Sequence, residues 1–218
     1  MGDRTTERLD GFTDAAFAFA LSWLLIGQDA PPTSLGDLHA AVADIPAFAI
    51  GFATIVVFWI THVRWRGMRG EGGPVGAALT ILLVFLVLVY IRPLQGMALS
   101  LSHYLGGRGR AFQGDLGGLF LIYGEGFAAM TAATAGLFLD VARDLRVPPP
   151  VRRVARGELA IWSLLTATGL VSILISLLPG LGALAPWAYA TLPATVTLVA
   201  LLYRWDEPPA ADAPSEGA

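Results

Sequence analysis

The chain has 218 residues, 55% of them hydrophobic and 14% charged, with a mean hydropathy of +0.63, a balance that excludes an ordinary soluble domain and points to a polytopic membrane protein. Its net charge of -3 and pI near 5.5 say less than the placement of its charges, because membrane topology follows where Arg and Lys stand. The absence of cysteine excludes disulfides, thiolate metal sites and a cysteine nucleophile, and all 14 basic side chains are Arg.

Crossing roughly 30 Å of hydrocarbon takes about 20 mostly apolar residues. Six segments meet that length, at 11–27, 45–65, 75–104, 116–139, 158–178 and 186–205, with Pro and Gly clustered between them, as in QDAPPTSLGD after the first and RDLRVPPPVRR after the fourth. The expected fold is all-α and integral to the membrane: six transmembrane helices per subunit within residues 1–205, followed by an acidic, Pro/Ala-rich tail at 206–218 with the composition of disorder. Most Arg fall in the N-terminus, the loops after spans two and four, and the C-terminal junction; Arg108 and Arg110 lie on the other side, and Arg92 lies within a span. This bias predicts that both termini are cytoplasmic.

The first span, RLDGFTDAAFAFALSWLLIG, carries Asp14 near the start of its apolar part. Arg4 and Arg8 ahead of an apolar run also fit a cleavable signal peptide, but Asp14 within that run and the DAPP stretch after it argue against cleavage. On a helical wheel with Asp14 at zero, Ala15, Phe19, Ser22 and Ile26 gather between about 80° and 140°, about 100° per residue. Facing a symmetry axis, such a stripe gives rings of side chains whose apolar members gate by dewetting; facing another helix, it is a packing surface with one small and one polar residue. Asp14 points about 100° off the stripe, toward a neighbouring helix. The loop that follows holds Asp29, Asp37, His39 and Asp44 and no basic residue, which suits either a solvated loop or a mouth that attracts cations.

In the second span, FWITHVRWR sets Trp59 and His62 three residues apart near the cytoplasmic end, at the depth of Asp14. An indole and an imidazole N–H are both donors that a carboxylate can accept. The third span carries Arg92 beside Pro93, and the fourth carries Glu125 between Gly124 and Gly126. Charges within the membrane are functional candidates by default. Both lie in the external half of their spans, so a mutual ion pair is expected, with Pro93 kinking its helix and freeing carbonyls for Gln95 or Arg92. His39, His62 and His103 have no metal-ligand spacing. No nucleotide loop, Ser-His-Asp set or pair of catalytic carboxylates is present, so the chain reads as neither an enzyme nor a cofactor or nucleic-acid binder.

The run Arg8-x-x-x-Phe12-Thr13-Asp14, followed by AAFAFALSWLL, resembles the Arg-x-x-x-Phe-Ser-Asp signature of the endolysosomal potassium channel family and its bacterial homologues. The stretch FWITHVRW resembles that family's second-helix Trp and His motif. The resemblance implies a cation channel, potassium-permeable, in which the first helix lines the pore and Ala15, Phe19, Ser22 and Ile26 face the ions. It further implies that Arg8, Phe12, Thr13, Asp14, Trp59 and His62 form the signature network bracing that helix. Phe19 stands at the constriction position, where Ile or Leu is usual, Ser22 at a Thr and Thr13 at the motif Ser. A single six-helix unit implies a bacterial homotetramer in the inner (plasma) membrane, with potassium or other monovalent cations, the lipid bilayer and further copies of itself as partners. The alternatives are a secondary transporter built on Arg92 and Glu125, which the missing inverted repeat disfavours, and a structural or assembly subunit.

Overall fold

The computed structural model describes residues 2–26, 33–70, 73–107 and 115–203. Arg108, Arg110, Arg204, Asp29 and the tail at 206–218 lie outside the described residues, as do the side chains of Arg4 and Ile26. The chain forms α1 (Gly2–Ile26), α2 (Leu35–Ala43), α3 (Ile45–Arg69), α4 (Pro74–Leu105), α5 (Leu116–Arg143), α6 (Pro149–Leu177), a 3-10 turn (Gly182–Leu184), α7 (Ala185–Ala190) and α8 (Leu192–Leu202).

Among the described residues, four stretches are long and apolar enough to cross a membrane: Ile45–Arg69, Pro74–His103, Pro149–Leu177 and Gly182–Leu201. The fourth expected span, in α5, falls short of that measure, and the first, in α1, runs into side chains outside the described residues. The N-terminal part of α1 carries Asp3, Arg4, Glu7, Arg8, Asp10 and Asp14, and α5 dilutes its apolar length with glycines, Glu125, Asp140 and Arg143.

Two expectations need correction. The loop after the first span contains α2, started by a capping box in which the Ser34 hydroxyl accepts from Asp37 N–H and the Asp37 carboxylate accepts from Ser34 N–H. The last span is two pieces, α7 and α8, parted at Thr191, with Pro193 in the first turn of α8; proline fits there because a first-turn N–H has no helical partner. Helices also outrun the expected spans. For example, α6 begins at Pro149, where three prolines in a row supply the fixed φ of a first turn.

α5 packs against α3, α4, α6, the 3-10 turn and α7, and its contact with α6 is the most extensive among the described residues. Small residues permit it: a Cβ added at Gly124 would meet Ile173 Cγ1 at 2.9 Å, and one at Gly169 would meet the Ala128 backbone nitrogen at 3.1 Å. Lipid is as apolar as a leucine side chain, so helix association in a bilayer depends on this close van der Waals approach. Threonine hydroxyls of this seam are satisfied locally: Thr131 donates to the Phe127 carbonyl at 2.8 Å, and Thr166 reaches Thr131 across the α5–α6 seam at 3.1 Å. Tyr123 and Tyr189, 5.3 Å apart at their ring centroids, fasten α7 to α5.

Candidate functional site

α1 lies against α3 and α4 and buries one narrow face: Thr13, Phe17, Ala20 and Leu24, none more than 2% exposed, at i, i+4, i+7, i+11 spacing. Close packing at the C-terminal end of α1 runs through Gly51 of α3, where an added Cβ would meet both Leu24 methyls at 3.1 Å. The opposite face carries Ala15, Phe19 and Ser22, all exposed, together with Phe12 at 56%. Phe19 is 54% exposed and its ring lies 5.7 Å from Trp23. The Ser22 hydroxyl donates to the Ala18 carbonyl at 2.9 Å, which leaves the oxygen's lone pairs turned outward.

The polar residues of the signature separate into different roles. Trp59 Nε1 donates to Asp14 Oδ1 at 2.9 Å, joining α3 to α1. His62, the other expected donor, is buried and its Nε2 lies 3.1 Å from Thr80 Oγ1 on α4. It is three residues from Trp59, about 300° round the helix, and that offset carries it onto the α4 side. Thr13 is buried, with its hydroxyl donating to the Leu9 carbonyl at 2.8 Å. Arg8 and Phe12 are exposed.

Further ties went unread in the sequence. Arg66 Nε meets both carboxylate oxygens of Asp10, at 2.8 and 3.0 Å, while its Nη1 donates to the Gly70 carbonyl at 2.7 Å. Arg69 bridges Asp140 at 2.7 Å and Asp144 at 2.8 Å, and Arg64 pairs with the buried Glu158 of α6. The last two turns of α3 therefore hold α1, α5 and α6 at once. The signal was present as spacing: Asp10 and Asp14 are four apart on α1, and Trp59 and Arg66 seven apart on α3, so each pair shares a helix face. At the end of α5, the Arg146 backbone N–H donates to Asp144 at 2.9 Å. That bond is the chief reason the Asp144 carboxyl is held below its usual range; burial opposes it, and the Arg69 and Arg146 guanidiniums add to the lowering.

At the other end of α1, Gln95 Nε2 donates to the Leu24 carbonyl at 3.0 Å. α4 runs unbroken through Pro93, and Gln95 serves α1 rather than a carbonyl freed by the proline. The expected Arg92–Glu125 pair is not among the ion pairs of the described residues. The Arg92 guanidinium carbon sits 5.8 Å from the Trp23 ring centroid instead, and Glu125 is exposed on α5. In the segment between α1 and α3, Asp37 is taken up by the α2 cap and Asp44 lies 3.4 Å from His103, while His39 is exposed.

Residues 8–91 match the family described as the endosomal/lysosomal potassium channel TMEM175. A relative from Marivirga tractuosa described as a potassium channel is 37% identical over 100 residues, 46% of this chain and 40% of that protein, so the match spans less than half of either. The fold is similar to that of a variant of the potassium channel MtTMEM175 crystallised with a nanobody–MBP fusion, with a TM-score of 0.77 at 24% identity over 89% of this chain and 92% of that one. The likeness in sequence to that family thus lies over residues 8–91, and over the chain as a whole the likeness to the solved channel is one of fold.

Proposed function

We infer that this chain, which carries the TMEM175-type potassium channel sequence over residues 8–91, is one subunit of a potassium-permeable cation channel. Its pore is lined by α1, with Phe19 as the apolar constriction and Ala15, Ser22 and Ile26 on the same stripe. Six transmembrane passes, cytoplasmic termini, a bacterial inner membrane and a homotetramer complete the reading, and α1 and α5 cross the bilayer inside the bundle, where their charged and small residues face protein and water rather than lipid. The observation that carries it is the two-faced character of α1: Thr13, Phe17, Ala20 and Leu24 are buried, while Phe19 on the opposite side is 54% exposed. A hydroxyl, small residues and a carboxylate beside that phenylalanine are poor partners for lipid and good ones for other copies of the same helix around a hydrated axis.

Flux measurements on Phe19 test the reading. A dewetted phenylalanine ring is a barrier to a hydrated cation, and making it polar lowers that barrier. Phe19→Asn is expected to raise potassium flux in proteoliposomes several-fold while the oligomer keeps its mass in detergent. Normal assembly with unchanged flux rejects the pore assignment. The transporter alternative gives a separate pattern: saturable uptake lost in Glu125→Gln and indifferent to Phe19.

A further inference from the structure

Two charges on α1 have no use within one subunit. Asp10 and Asp14 are held by Arg66 and Trp59 of α3, whereas Glu7 and Arg8 are exposed and make no ion pair among the described residues. They cannot serve each other, since adjacent helical positions diverge by about 100°.

Each instead begins its own exposed stripe. Arg8 is followed at i+4, i+7 and i+11 by Phe12, Ala15 and Phe19, so it extends the candidate pore stripe to the cytoplasmic mouth. Glu7 is followed at the same spacing by Gly11, Asp14 and Ala18, all exposed, and a Cβ added at Gly11 would meet nothing within 4 Å. That second stripe flanks the first, and its small residues let another helix approach closely.

We propose that in the assembled channel the flank of each α1 receives the α1 of the next copy, so that Glu7 of one subunit pairs with Arg8 of its neighbour in an alternating ring at the cytoplasmic mouth. The inference rests on the pore reading and deepens it. Arg8 on the axis stripe places one guanidinium per subunit at the entrance, a field that opposes cation entry; Glu7 from the adjacent copy offsets it. The occupant of the flank is a second copy of this chain, because that copy brings the complementary charge at the same depth.

Two experiments on the full-length oligomer test the proposal. In proteoliposomes at about 10 mM salt, where screening reaches about 30 Å, Glu7→Gln is expected to lower potassium flux, and Arg8→Gln to raise it, by on the order of 3- to 10-fold. Both effects should vanish near 1 M salt, where screening acts within about 3 Å, and the double variant should return toward the parent. Fluxes within about twofold of the parent at low salt, with Phe19→Asn still raising flux, overturn the ring and leave the pore reading standing. If Phe19→Asn is silent as well, the pore reading fails and the ring with it.

Contact between copies is read separately, since the natural chain has no cysteine. The variant carrying both Glu7→Cys and Arg8→Cys is expected to give an oxidation ladder extending past the dimer, and each single variant no band above the dimer. An intact oligomer without that ladder overturns the proposed juxtaposition.

Discussion

Replacing Asp14 by Asn keeps the shape of the side chain and one acceptor oxygen but removes the charge that Trp59 Nε1 meets at 2.9 Å. A hydrogen bond to an ionised group is worth about 1.5 to 3 kcal/mol net when water is excluded. Trp59 is 38% exposed in the single subunit, and with water admitted the figure falls toward about 1 kcal/mol. The flank of α1 that bears Asp14 is the one assigned to the neighbouring copy, which excludes water, so the coupling is expected near 1.5 to 2 kcal/mol, a factor of about 10 or more in the unfolding equilibrium. The assay is a double-mutant cycle: parent, Asp14→Asn, Trp59→Phe and the double variant, each unfolded reversibly in detergent while oligomer mass is followed. Trp59→Phe also loses ring contacts, but the cycle cancels that loss because it occurs alike with Asp and with Asn at position 14. A coupling below about 0.5 kcal/mol, within the scatter of independent sites, refutes the argument that this bond braces α1.

Three more outcomes follow from other parts of the fold. Gly126 lies flat against the Tyr90 ring, and an added Cβ would fall inside that ring; Gly126→Val is therefore expected to cost about 3 kcal/mol or more and to lower oligomer yield, against about 1 kcal/mol for Ala129→Val on the half-exposed side of α5. The Asp144 carboxyl is held below its ordinary value of 3.8, so its stabilising effect is complete above that value and is lost as pH falls through the lower, folded-state value; Asp144→Asn should flatten the acid side of the stability profile, and an unchanged acid slope refutes the assignment. Orientation is read in intact cells with an impermeant maleimide, which is expected to label Val42→Cys in α2 and to leave Arg146→Cys, in the Arg-rich loop before α6, unlabelled.

The fold was legible wherever one physical variable decides it. Apolar length alone locates α3, α4 and α6, because the bilayer sets a minimum span. The interruption between α7 and α8 was not legible that way, since a window of hydropathy averages over Thr191 and Pro193; only the local rule that proline opens a helix separates them. The α2 cap had a readable signature in Ser34-x-x-Asp37, hidden by the habit of reading a polar segment between spans as loop.

The site divides along a similar line. Asp14 could be matched to Trp59 because a carboxylate in the membrane demands a donor and few donors stand at its depth. Arg64, Arg66 and Arg69 stood out only as topological charges, and their partners Glu158, Asp10, Asp140 and Asp144 lie on three other helices. Pairings of that kind depend on which helices adjoin, a tertiary fact absent from spacing. The same holds for Arg92: its depth near Glu125 was readable, but not that the side chain would turn to Trp23.

The placement of these ties bears on how a charge-laden helix would hold its position if, as proposed, it lines the pore. α1 is fixed at two levels in its N-terminal half, Asp10 to Arg66 and Asp14 to Trp59, and once near its C-terminal end, where Gln95 holds the Leu24 carbonyl. Between them Phe17 and Ala20 pack inward, buried to 2% and 0%, with Ala16 and Leu21 half-buried beside them, and apolar packing between helices in lipid orients less strongly than directional bonds do. With the ends fixed, the free variable of α1 is rotation of its middle about the helix axis, which swings Phe19 and Ser22 past each other across roughly 60°. Ties at both ends resist that rotation, so loosening either end should alter conduction at Phe19 even though neither tie touches it. Arg66→Gln and Gln95→Leu are expected to shift potassium flux in the same sense as each other while the oligomer stays intact, measured in the same proteoliposomes. Opposite or absent shifts with an intact oligomer mean that the constriction is set by α1 alone, and the ties serve assembly only.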